Sequence, residues 1–166
     1  ADDYRRLDLG TESRPAATSS ANAAANQDLV LLIHGTFAGR AEDEGDSWWQ
    51  TGSPAWEELS KRLPPDARLP EQGEVFHWSG DNSERARIKA GHDLLERLLE
   101  LEANGQSYHL IGHSHGGSVI WHTLRLATLR RKKLDGLKSW STVGTPFLHY
   151  RTRGAWSPAN VVSLLL

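Results

Sequence analysis

Gly112-His113-Ser114-His115-Gly116 has G-x-S-x-G spacing and lies between an apolar run, Tyr108 to Ile111, and an amphipathic stretch from Gly117 to Arg131. A nucleophile needs that context when a sharp, strained turn from strand to helix lifts its oxygen clear of a sheet. Side chains two residues before and two after the serine would collide in such a turn, which favours glycine at both positions. Ser114 is therefore the candidate nucleophile for acyl transfer, with Gly112, His113 and Gly116 forming its elbow; the plain alternative is a tight turn. His113 and His115 also form an H-x-H that could suggest a metal. Zinc hydrolases add further ligands nearby, however, and the next residues here are Gly116 and Gly117. Neither a metal nor a cofactor is expected.

Acyl transfer also needs two preorganised backbone N–H groups aimed at the developing oxyanion. Well upstream, Leu29 to Ile33 is a continuous branched apolar run, the pattern of a parallel strand covered on both faces, and it ends in His34-Gly35-Thr36-Phe37. The amides of Thr36 and His115 are the candidate oxyanion donors. His34 and Gly35 belong to the oxyanion loop, where His34 is expected to brace the loop by a hydrogen bond.

With these two motifs the chain resembles the α/β-hydrolase superfamily, and specifically its lipases and esterases, in which a strand ending in His-Gly-x precedes a Gly-x-Ser-x-Gly elbow. The resemblance covers about Asp28 to Phe147. It implies a serine hydrolase acting on a small-molecule or lipid carboxylic ester through an acyl-enzyme. The same elbow serves amidases, thioesterases and acyltransferases, so the lipid preference rests on the resemblance alone. It also implies a chain order of serine, acid, histidine, with the acid after a later strand. No Asp or Glu follows Asp135, and Asp135 precedes its strand. His149 follows Gly144-Thr145-Pro146-Phe147 too closely to be the family's base and reads as a loop or pocket histidine. The acid and base are thus expected beyond Leu166, and this chain reads as a C-terminally truncated fragment. The competing reading is a non-catalytic, hydrolase-like binding module.

The elements that must hold these residues alternate along the chain. Ser53-Pro54 predicts a capped helix with Trp56, Leu59 and Leu63 on one face, stopped by Pro64-Pro65. Glu74 to Trp78 reads as a short strand. Asp81 and Glu84 look like a capping box for a helix to about Ala103, ended by Asn104-Gly105. Leu137 to Val143 is a further strand, closed by Gly144-Thr145-Pro146. The series predicts an α/β fold, a three-layer sandwich in which a mostly parallel sheet is flanked by helices and joined by right-handed crossovers, as in an incomplete α/β-hydrolase fold. Ligands in such sheets bind beyond the carboxyl ends of the strands, where Thr36, Gly80, Ser114 and Gly144 would emerge.

Composition excludes more than it selects. The 166 residues, 38% hydrophobic and 24% charged, suit one globular domain. A net charge of -2 gives no global attraction to nucleic acid or an anionic membrane. The stretch from Arg125 to Lys138, with six Lys/Arg against one Asp, reads as the solvated end of a helix. Without cysteine there is neither disulfide nor thiolate chemistry, and the redox compartment is left open. Thr11 to Gln27 are rich in Ala, Ser and Asn, and residues 1–27 read as a disordered or linker-like segment before a domain spanning 28–166. Neither methionine nor a signal-peptide pattern is present. Val161 to Leu166 could begin a core element or a membrane segment. The acidic run Glu42 to Asp46 with Trp48-Trp49 reads equally as a flap, a pocket wall or a solvated loop.

Overall fold

The computed structural model describes residues 27–147. The linker segment before Gln27, His149 and the apolar run from Val161 lie outside the described residues. Four strands, β1 (Asp28–Ile33), β2 (Ala67–Arg68), β3 (Tyr108–His113) and β4 (Leu137–Val143), form one all-parallel sheet in the order β2-β1-β3-β4. Three helices pack on it: α1 (Pro54–Arg62), α2 (Glu84–Ala103) and α3 (His115–Leu129). The expected α/β class is therefore observed.

The branched run of β1 is buried on both faces and divides the core. Leu29, Leu31 and Ile33 pack with Leu94 and Leu98 of α2 and Val119 and Ile120 of α3. Val30 and Leu32 point the other way, onto Trp49, Leu69 and Trp56 of α1. Alternation along one strand thus produces a helix layer on each side of the sheet. The α1 cap is the expected one: Ser53 Oγ accepts from Trp56 N at 3.2 Å, and Pro54 opens the helix. No helix among the described residues is long and apolar enough to cross a membrane.

Three expectations fail locally. Glu74 to Trp78 does not enter the sheet; its place is taken by the two-residue β2, in register with Asp28 and Leu29. Side-chain bonds hold that segment instead. Glu74 accepts from both terminal guanidinium nitrogens of Arg68, and Trp78 Nε1 donates to His34 O at 2.9 Å. The cap of α2 is Ser83, whose Oγ accepts from Ala86 N at 3.1 Å, and not Asp81. That leaves Glu84 at the first helical position, too early for a capping box, and its carboxylate turns to Arg87 and His122. In α3 the helix begins at His115, directly after the serine, two residues before the expected start.

Candidate active site

The parallel register of β1 with β3, Leu29 opposite Tyr108 through Ile33 opposite Gly112, brings the two motifs side by side at the carboxyl ends of the central strands. Ser114 lies in the turn between β3 and α3 with φ 53° and ψ −130°, a conformation close to a region populated essentially by glycine. Its backbone is held there at both ends. Ser114 N donates to Val143 O at 2.8 Å, extending the β3–β4 ladder, and Ser114 O accepts from Thr145 Oγ1 at 2.8 Å. The flanking glycines are sterically required: a Cβ on Gly112 would lie 2.6 Å from Gly117 N, and one on Gly116 would overlap Ile33 O.

The loop from His34 to Phe37 meets the serine closely. A Cβ on Gly35 would stand 2.8 Å from Ser114 Cβ and 3.3 Å from its Oγ, so the serine side chain lies over Gly35. No hydrogen bond engages the amide of Thr36 or of His115 among the described residues. The loop itself is pinned: Phe37, at φ 62°, donates its N–H to Gly80 O at 2.8 Å. Gly80 therefore reaches the site by bonding the loop, although no strand delivers it there.

His34 braces this loop from below. Fully buried, it stacks between Trp49 (centroids 4.7 Å apart) and Trp78 (5.3 Å), and its Nδ1 lies 2.9 Å from Gly35 O. Because a carbonyl can only accept, Nδ1 carries the proton. Burial is the main reason its pKa falls below the usual 6.5, so the ring is neutral and Nε2 is left as an acceptor with no partner among the described residues. The acidic loop supplies the upper indole: Trp49 is fully buried and donates to Ala38 O, while Trp48 stands edge-on to His113 at 5.9 Å. These tryptophans thus pack against His34, His77 and His113. His113 itself is exposed.

Two groups of functional interest carried no sequence signal. Thr145 holds the carbonyl of Ser114, yet in sequence Gly144-Thr145-Pro146 is only a strand terminator. The second is an Asp–His pair, 34 residues apart: His77 Nε2 lies 2.5 Å from Asp43 Oδ1, and His77 Nδ1 lies 2.9 Å from Arg40 O. Hydrogen bonds from Gly73 N and from His77 hold the Asp43 carboxyl below its usual range. With both ring nitrogens engaged, His77 clasps the acidic loop and is not free to take a proton from Ser114. His122, bonded to Glu84 at 3.0 Å, stands eight residues along α3 from the serine, about 12 Å of helix rise. Ser114 Oγ has no hydrogen-bond partner among the described residues, and no three His, Asp or Glu side chains there form a metal-binding group.

Comparison with known proteins gives no match, either among protein-family models or among curated sequences.

Proposed function

We propose that this chain carries the nucleophile and oxyanion hole of a serine hydrolase of α/β-hydrolase type, acting on carboxylic esters. The observation that carries the reading is Ser114 itself, a non-glycine residue held in a strained turn against Gly35 with unengaged amides at Thr36 and His115. Strain of that kind costs about 1–3 kcal/mol and persists where the surrounding structure over-determines it, commonly at sites of chemistry.

In this mechanism Ser114 Oγ attacks the ester carbonyl carbon while its proton passes to a base. The carbonyl oxygen becomes an oxyanion, accepting from the N–H groups of Thr36 and His115. Collapse expels the alcohol, which takes the proton, and water then clears the acyl-enzyme by the same steps in reverse. The lipase- or esterase-like preference for a lipid ester belongs to this proposal.

The test is labelling. A fluorophosphonate probe is expected to modify Ser114, and Ser114→Ala to abolish the labelling and any hydrolysis that passes through an acyl-enzyme. Persistent labelling of the variant overturns the assignment. A binding module is favoured by one observation, the absence of any imidazole at Ser114 Oγ among the described residues. That reading predicts no labelling in the wild-type chain.

A further inference from the structure

A cavity of about 500 Å3 is lined by His115, the residue after the proposed nucleophile, and by Trp121, Trp140 and Phe147. These three side chains are 50%, 42% and 51% exposed, although large aromatic groups are ordinarily covered. Arg87 and Arg125 also line the cavity, with a single carboxylate, Glu84, which is already shared between Arg87 at 2.9 Å and His122 at 3.0 Å. Arg125 has no ion pair or hydrogen bond among the described residues. Ten residues of α3 separate His115 from Arg125, about 15 Å of rise, and helical side chains lean toward the N-terminus, which turns Arg125 back toward the cavity.

We infer that this cavity seats the non-reacting arm of the ester, and that the arm is an apolar chain ending in a carboxylate held by Arg125. The volume is that of a small-molecule site, the walls suit an alkyl or aromatic body, and Arg125, without an ion pair among the described residues, stands about 15 Å of helix rise from His115. A guanidinium binds a carboxylate through two parallel N–H bonds, so the preference is for a planar anion at a fixed distance from the ester carbonyl. A short chain would leave the charge stranded among the tryptophans.

The inference rests on the ester-hydrolase reading, and the experiment separates the two. In the full chain bearing Ser114→Ala, tryptophan fluorescence titrations compare monomethyl dodecanedioate, monomethyl succinate and methyl dodecanoate, each below its aggregation concentration. The long half-ester is expected to bind about ten-fold more tightly than either of the others, the worth of roughly one charge-assisted pair. Arg125→Gln is expected to remove that advantage and Arg125→Lys to keep most of it. Equal binding of the charged and uncharged long esters, or no change in Arg125→Gln, overturns the inference. Charge-dependent binding seen only with phosphatidylglycerol vesicles also overturns it, in favour of a membrane-facing surface. Fluorophosphonate labelling of the wild-type chain reports the nucleophile independently: a labelled Ser114 without charge preference sinks the carboxylate arm alone, and charge-dependent binding without labelling sinks the hydrolase reading alone.

Discussion

At the scale of single residues, the turn at Ser114 depends on side chains outside the Gly-x-Ser-x-Gly motif. Thr145 Oγ1 holds the carbonyl of Ser114 in a turn that the backbone would otherwise relax. Thr145→Val keeps the shape and removes the donor. It is expected to cost about 1 kcal/mol in urea unfolding and to slow fluorophosphonate labelling of Ser114, with Thr145→Ser restoring both; equal labelling rates in all three proteins would show that the turn holds without this bond. His34 sets a pH dependence whose sign follows from its burial. The folded imidazole has a pKa below 6.5, so between that lowered value and about 6.5 the unfolded chain binds the extra proton. Its stability contribution is complete above about 6.5 and is lost as the pH falls toward the folded value. His115 acts in the same direction, through desolvation and the nearby Arg87 charge. Asp43 works in a separate window: its lowered carboxyl pKa adds stability above 3.8 that disappears as the pH falls through its folded value. Urea midpoints from pH 8 to 5 are expected to decline in the wild type and to flatten in His34→Phe.

At the scale of elements, packing overrules propensity where α2 crosses α3. Gly91 lies inside a helix, where alanine is ordinarily better by about 1 kcal/mol. A Cβ there would meet His122 Cβ at 2.8 Å, and Thr123 Oγ1 donates to Gly91 O at 3.1 Å. Gly91→Ala is therefore expected to destabilise by about 1–3 kcal/mol through overpacking, and a raised urea midpoint would contradict it. The α2 cap gives a similar contrast: Ser83→Ala is expected to cost about 1 kcal/mol and Asp81→Ala close to nothing. Most elements were legible because their signals are local. The apolar run of β1, the Ser53-Pro54 start of α1, the length of α2 and the glycines around Ser114 all announce themselves within a few residues. What was missed depends on partners far along the chain. β2 has only two residues, Ala67 and Arg68, too few for any period. Val75 and Phe76 look like strand residues, but Arg68, Asp43 and the His34 carbonyl claim their neighbours before the sheet can. Thr145 becomes informative only once β4 is known to lie beside β3.

At the scale of the whole molecule, the central pair of strands carries Ser114, the proposed nucleophile, and two amides unengaged among the described residues, none of which supplies the base that the proposed mechanism needs. Turnover of an activated ester by this chain is expected to be slow, of the order of a thousand-fold over water from an oxyanion hole and binding alone, and unchanged in His149→Ala. Robust turnover lost in that variant would put the base within these 166 residues. The sheet's flank has a different kind of consequence. Strands of parallel sheets are ordinarily covered on both faces, yet most of β4 is exposed, including Trp140 and Val143, and among the described residues no strand pairs with its outer edge. A row of unsatisfied amides and carbonyls is a template for another chain, and Lys138 is the only charge on β4 to discourage it. The colloidal behaviour of the protein is thus expected to be written in this strand. Light scattering should rise with concentration and fall in Ser141→Lys, so the highest concentration at which the serine can be assayed as a monomer is decided at β4, away from the serine itself.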